Sequence, residues 1–392
     1  MAGGFDRGGV QIDQLFDAGT SIGSRLSYVT PRRSLKNYQR LGNSAANAQI
    51  DALDGTQDGN FDQAAALAAF GGNAALLNAT IAGINAALPG ATAGNVDVEG
   101  DYANLSFGAK LNIAQGFDCL GHYSQPYGAD ADYGSGNAQS LSAVEFSIST
   151  QDYGLTCSYQ FAAGDFSVGQ GFGRVIVGGS YQEIEGFQSR QSFLDFANAG
   201  VMAVGGITNT AGTGTFSVED EAFGWRLGAA YEIPAIALRA MVLYSSKYDF
   251  DGLTGIQNNT GFGPLIPGTG LVPITLTTEI PQALDIKLQS GVREGTLAFA
   301  NFRWQDWSQL QSITINGGRN PATGGPSTLA FEPFYRDGYT VSVGVGQVIT
   351  EDLSALAAIG WDRGTSTTSG TQTDTWTLSG GIQYKPLENI EV

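Results

Sequence analysis

The only histidine in this 392-residue chain, His122, lies in the run Gly121-His122-Tyr123-Ser124-Gln125-Pro126. An imidazole serves as general base only with a nucleophile placed beside it, and no nucleophile signature surrounds this one. A structural or lumen-facing role is therefore expected, and no enzyme activity. The two cysteines, Cys119 and Cys157, are too few and too separated to build a metal site with one histidine, so neither a metal nor a cofactor is expected. They flank a Gly/Asp/Ser-rich stretch from Ala129 to Gln139 that reads as a loop between two strands. The pair would then face each other across one hairpin and join in an oxidising compartment; two unrelated buried thiols are the alternative.

Five cations share a pattern. Lys110, Arg226, Arg239, Lys287 and Arg303 each occupy the polar parity of an alternating segment, with Asn301 and Gln305 beside Arg303. Cations on the inner face of a wall can meet a ligand carboxylate, because a desolvated anion needs charge or strong hydrogen bonds. They can equally pair with Glu145, Glu232 or Asp285 as ion pairs that stabilise the wall, the commoner use of charge in such a lumen.

The elements that would position them are strands. From Ala103 to Asn112, Leu105, Phe107, Ala109 and Leu111 alternate with Asn104, Ser106, Gly108 and Lys110. The alternation returns at Val144/Phe146/Ile148 against Glu145/Ser147/Ser149, at Phe223/Trp225/Leu227 against Gly224/Arg226/Gly228, at Leu284/Ile286/Leu288 against Asp285/Lys287/Gln289, and at Trp376/Leu378/Ile382 against Thr375/Thr377/Gln383. Repeated two-faced segments separated by turns mark an all-β, transmembrane antiparallel β-barrel. No stretch of about 18 apolar residues exists to make a helical span. The 56 glycines fall inside strands as well as turns, as suits a curved sheet.

About twelve strands are visible, near residues 22–38, 101–115, 117–128, 141–162, 166–188, 217–233, 235–250, 277–293, 295–313, 337–350, 353–365 and 373–388. Tight turns at Gln115-Gly116, Ala163-Gly164-Asp165, Ile233-Pro234-Ala235, Arg293-Glu294-Gly295 and Thr350-Glu351-Asp352 lie at one end; long loops lie at the other. Residues 1–21 form a short N-terminal segment and residues 22–392 the barrel, with an insertion at 43–96. Within it, Phe61 to Leu88 has helical spacing, consistent with a helical cap or with a low-complexity loop. Trp304, Trp307, Trp361, Trp376, Tyr231, Tyr244, Tyr339 and Tyr384 fall near strand ends, where an interfacial girdle would use them.

A formal net charge of −18 and the lack of a basic cluster exclude nucleic acid as a partner. Acidic loops would face outer-membrane lipid and lipopolysaccharide. The start Met1-Ala2-Gly3-Gly4 carries no secretory signal and reads as a mature start.

The segment Phe299-Ala-Asn-Phe-Arg-Trp-Gln-Asp-Trp-Ser308 resembles the Trp-x-x-Trp-Ser strand of the FadL-type outer-membrane transporters. Glu279-Ile-Pro-Gln-Ala-Leu-Asp-Ile-Lys287 and Tyr335-Arg-Asp-Gly-Tyr-Thr-Val-Ser-Val-Gly344 are similar to the family's Leu-Pro and Tyr-x-Asp strands, in the same order. The resemblance is firmest over residues 220–365. It implies a fourteen-strand barrel, hence a further hairpin beyond Val392, in the outer membrane of a Gram-negative bacterium. It also implies a plug, here reduced because residues 1–21 alone precede the first strand and the family's Asn-Pro-Ala is absent.

The activity implied is passive passage of long-chain fatty acids or other hydrophobic compounds through a monomer, by loop capture, lumen binding and lateral or periplasmic release. A porin-like channel for polar solutes is the alternative. Gly121, Pro126 and Gly128 interrupt a strand that should pair continuously, since proline supplies no ladder donor. The resemblance makes this the inward kink that opens the wall to lipid; an ordinary strand end is the plainer reading. Phe187, Phe193 and Phe196, followed by Leu265 and Leu271, are apolar residues in loops that should be polar. The resemblance makes them a capture groove; two loops packing over the barrel mouth would look the same.

Overall fold

The computed structural model describes residues 5–32, 34–38, 53, 63–87, 94–97, 101–135, 143–195, 209–262, 268–321, 323–367, 372–387 and 390. After a 3-10 turn at Ile12–Phe16 come β1 (Ser21–Val29), β2 (Ser34–Tyr38), α1 (Gln63–Ala69), α2 (Ala74–Ala87) and β3 (Gly94–Asp97). Strands β2 and β3 pair with each other, and Ala66 and Leu77 are buried residues of the two helices. The helical spacing in the insertion thus marks real helices, broken at Gly71-Gly72, where both glycines adopt positive φ.

The wall follows. Its members are β4 (Tyr102–Ala114), β5 (Phe117–Ser124), β6 (Gly128–Asp132), β7 (Glu145–Phe166), β8 (Gly169–Asp195) and β9 (Asn209–Ile233). Then come β10 (Leu238–Ser245), β11 (Tyr248–Asn258), β12 (Leu271–Ile280), β13 (Ala283–Arg293), β14 (Thr296–Gln305) and β15 (Ile313–Arg319). Last are β16 (Pro326–Phe331), β17 (Gly338–Thr350), β18 (Leu353–Arg363) and β19 (Thr375–Tyr384). One antiparallel sheet of 17 strands holds β1 with β4–β19.

Five staves are broken in the middle: β5/β6, β10/β11, β12/β13, β14/β15 and β16/β17. With the seven unbroken strands β1, β4, β7, β8, β9, β18 and β19, twelve staves stand in the wall among the described residues, as the alternation predicts. The tight turns fall where expected, except that β7 and β8 turn at Ser167-Val168, because a bulge between Ala162 and Asp165 carries pairing past Gly164.

Period-2 sequence gives two faces. Phe107 is 44% exposed on the outside while Lys110, three residues on, is 1% exposed inside. Leu227 and Ile286 are exposed outward in the same way, against inward Arg226 and Lys287. In β7 the expected assignment reverses: Ile148 packs against the interior cluster, Phe146 lies inward beside the Phe5 ring, and Glu145 is exposed on the outer face. Further along the same strand the outward parity is apolar again, at Tyr153, Leu155 and Tyr159. The long-loop half of β7 therefore has a polar outside and an apolar inside, as expected where the strand projects past lipid into water.

The long strands correct a second expectation. Phe187 and Phe193 lie within β8, opposite Ser217 and Ala211 of β9, and not in a loop. Leu271 opens β12 opposite Asn258. Phe196 and Leu265 lie outside the described residues.

Two apolar clusters fill the interior. One, toward the long loops, includes Tyr127, Ile184, Val218, Phe250, Leu253, Ile274 and Trp307. The other joins Ile12 and Leu15 of the N-terminal segment to Leu120, Ile176, Ala230, Met241 and Leu243 of the wall. Burying Ile12 and Leu15 stabilises the segment's seat by about 1.5–3 kcal/mol each.

Candidate functional site

The N-terminal segment lies inside the lumen. It lacks strand alternation, so its carbonyls are met by the wall: Arg174 Nη1 donates to the Leu15 carbonyl at 3.1 Å and Lys110 Nζ to the Asp17 carbonyl, while the Gln11 side chain donates through Nε2 to Ser106 Oγ at 2.9 Å. Phe16 sits between two guanidiniums, that of Arg239 4.0 Å and that of Arg174 5.0 Å from its ring centre. Asp13 pairs with Lys287, and Asp6 with Arg303 at 3.2 Å.

Where the segment enters, the wall is broken. Strand β5 ends at Ser124 and β6 starts at Gly128, both paired with β7. Strand β4 follows β5 only as far as Ser106 opposite Ser124, so beyond it β4 and β6 part. The break falls around Pro126; Gly121 is paired on both sides within β5, opposite Ala109 and Leu155, and interrupts nothing. The N-terminal segment pairs here instead: Arg7 N–H donates to the Pro126 carbonyl at 2.7 Å, and Gly128 N–H to the Phe5 carbonyl at 2.8 Å. A Cβ on Gly128 would stand 2.6 Å from the Arg7 guanidinium, so any larger residue here would push that side chain aside.

Every cation singled out by parity is inward, and every one is paired. Lys110 meets Asp118 at 3.2 Å, Arg226 meets Asp152 at 3.6 Å, Arg239 meets Glu232 at 3.1 Å, and Arg303 meets Asp285 at 3.1 Å. Glu232 and Asp285 thus serve as wall partners; Glu145, on the outer face, does not share that role. His122 Nε2 lies 2.9 Å from Asp152 and 3.4 Å from Arg226, while its Nδ1 has no hydrogen-bond partner among the described residues. Among the described residues no nucleophile is in hydrogen-bond contact with the ring. Parity alone would also have found Asp152 and Arg174, which the search for cations and histidine passed over; Arg174 bonds Asp118 at 3.0 Å and lies 3.5 Å from Glu232.

Above the N-terminal segment the inner wall carries a packed aromatic cluster, the chamber. The Phe5 ring lies 5.9 Å from both Trp307 and Tyr335, edge to face, and 6.4 Å from Phe146. Trp307, 1% exposed, belongs to this lumen cluster and not to an interfacial girdle. It sits in a 3-10 turn, Trp307–Gln309, that swings the chain inward between β14 and β15. Burial pushes the Tyr335 phenol up to about 12, so the chamber is lined by a neutral hydroxyl. Below the segment, at the short-turn mouth, a cavity of about 420 Å³ is lined by Lys110, Asp118, Arg174, Glu232 and Arg239. The lumen therefore passes from apolar to charged along its length, with the N-terminal segment across it.

Cys119 and Cys157 are directly opposite in β5 and β7 and are disulfide-bonded, close to the short-turn end.

A family model for outer membrane protein transport proteins (OMPP1/FadL/TodX) matches residues 48–386. No curated protein matches the chain. Among solved structures, a FadL homologue of Pseudomonas aeruginosa is similar at 17% identity over 78% of this chain and 72% of that one, with a TM-score of 0.62. The toluene transporter TbuX of Ralstonia pickettii is similar at 14% identity over 76% of each chain, TM-score 0.54. The CymD monoaromatic hydrocarbon channel is similar at 16% identity over 74% of this chain and 77% of that one, TM-score 0.52. At these identities the likeness establishes a shared fold.

Proposed function

The chain belongs to the OmpP1/FadL/TodX family of outer membrane transport proteins, and on that premise we propose that it admits neutral hydrophobic compounds passively through the lumen. The observation that carries this reading is the chamber formed by Phe146, Ile148, Tyr127, Ile184, Phe250, Trp307 and Tyr335, an apolar interior beside which β7 turns a polar outer face. Apolar surface so placed, away from lipid and lining a passage, is what a hydrophobic ligand would bury. A water-filled channel for polar solutes needs the opposite inner face.

The lumen cations point away from an ionised fatty acid as the preferred cargo. Each of the five is already held by a carboxylate, so a ligand anion would have to displace a resident one. Aromatic hydrocarbons, carried by CymD and TbuX, have no such requirement. We place capture at the outer rim, where Leu271 is exposed and Phe187 half-buried. Release is sideways, at the parting of β4 from β6.

Equilibrium binding of a panel of alkylbenzenes and long-chain fatty acids to the purified barrel tests the reading. Micromolar alkylbenzene binding, weakened by Trp307→Ala, is the expected outcome; no binding of either class would refute it.

A further inference from the structure

Between the aromatic chamber and the seat of Ile12 and Leu15, the inner wall carries a band of polar side chains whose hydrogen bonds are not all made. Register places Ser124, Asp152 and Gln182 side by side on β5, β7 and β8, and His122, Gly154 and Ser180 side by side in the next row down. Gly154 is required there, because a Cβ would overlap the His122 ring. The charges close among themselves: Asp152 is met by His122, by Arg226 and by Tyr248, whose hydroxyl donates at 3.1 Å, and Arg226 also donates to Ser180 Oγ at 3.1 Å.

What remains open is neutral. Gln182 is 0% exposed and neither its Oε1 nor its Nε2 has a partner among the described residues; Ser124 Oγ and His122 Nδ1, both buried, have none either. A buried polar atom left without a partner costs about 1–3 kcal/mol, so four in one band mark a place made for something that supplies donors and acceptors. The same strands turn apolar one step toward the outside. Gln182 is followed on its face by Ile184, and Tyr248 by Phe250, both in the chamber cluster.

We propose that this band is a head-group subsite for an apolar molecule bearing one neutral hydrogen-bonding group, a phenol or an alcohol, whose hydrocarbon body occupies the chamber. Gln182 offers both an amide donor and an acceptor to the hydroxyl, and Ser124 and His122 complete its coordination. An ionised carboxylate does not fit, because no cation in the band is free of a carboxylate partner. This rests on the transport reading above and names its cargo more narrowly.

The test compares three ligands of one shape, ethylbenzene, 4-ethylphenol and 4-ethylbenzoate, by equilibrium binding to the folded barrel. The wild-type chain is expected to bind the phenol about tenfold more tightly than the hydrocarbon, and the benzoate least, since one or two buried hydrogen bonds are worth that ratio. In Gln182→Leu and, separately, Ser124→Ala, the phenol-to-hydrocarbon ratio should fall several-fold, with thermal unfolding confirming that each variant is folded. A wild-type ratio near one, a ratio that survives both substitutions, or tightest binding of the benzoate would overturn the subsite while hydrocarbon binding still supported transport. Failure of all three ligands to bind would overturn both.

Discussion

The guanidinium of Arg7 lies 3.9 Å over the ring centre of Tyr102 while its Nη2 stands 2.5 Å from Asp130. Tyr102 opens β4 and Asp130 lies in β6, so one side chain of the N-terminal segment spans the two lips of the wall break. The Asn104 side chain reinforces it, donating to the Arg7 carbonyl at 2.9 Å.

Arg7→Ala should therefore loosen the lips without unseating the barrel. Amide exchange in Gly128–Asp132 is expected to quicken several-fold in the variant, with little change in β8, because the lost cation-π and ion-pair contacts are worth about 1–2 kcal/mol together. Exchange unchanged in β6 would show that the backbone bonds of Phe5 and Arg7 suffice to seal the gap.

The disulfide should appear as one linked peptide pair in a non-reduced digest of protein matured in an oxidising compartment. Cys119→Ala with Cys157→Ala should lower unfolding stability by about 2–4 kcal/mol, mainly by freeing the unfolded chain. Recovery of two free thiols from such protein would contradict the pairing.

The two faces of β7 give a sharper prediction. Cysteine placed at Leu155 should react with a lipid-soluble reagent and not with a charged one, cysteine at Ser147 with the charged reagent, and cysteine at Ile148 with neither until the chamber is opened. Lipid-phase labelling at Ile148 would restore the outward reading of Phe146 and Ile148.

That reversal shows what the sequence can and cannot say. Near the short turns, lipid demands apolar residues on one parity, so Phe107, Leu227 and Ile286 are readable as outside and Lys110, Arg226 and Lys287 as inside. Past the lipid the demand lapses. In the outer half of β7 alternation persists, but Glu145 now faces water and Phe146 the chamber, and period two does not say which face is which. The same lapse makes Phe187 and Phe193 look like loop residues, because an extension wet on its outer face carries the Gln, Ser and Gly of a loop. The N-terminal segment was legible only as short: nothing local announces that its carbonyls are met by Lys110 and Arg174, contacts made more than ninety residues away in sequence. Strand count and the inward cations were local properties and could be read directly.

Tyr335 supplies a pH signature. Its folded value, pushed up to about 12 by burial, exceeds the 10.0 of a free phenol. Its contribution to the chamber's stability is thus complete below pH ~10 and is lost as pH rises through ~12, since the unfolded chain releases the proton first. Tyr335→Phe should remove one tyrosine's share of the phenolate absorbance that develops near pH 12; an unchanged titration would place the hydroxyl in contact with water.

The most direct measurement is flux through the same purified barrel in a planar or vesicle bilayer, reading alkylbenzene transfer and ion current together. Transfer of the hydrocarbon well above that of protein-free bilayers, with negligible steady current while the N-terminal segment is in place, is the result expected of a plugged apolar passage. A steady ohmic current with no gain in hydrocarbon transfer would show a polar channel and contradict it.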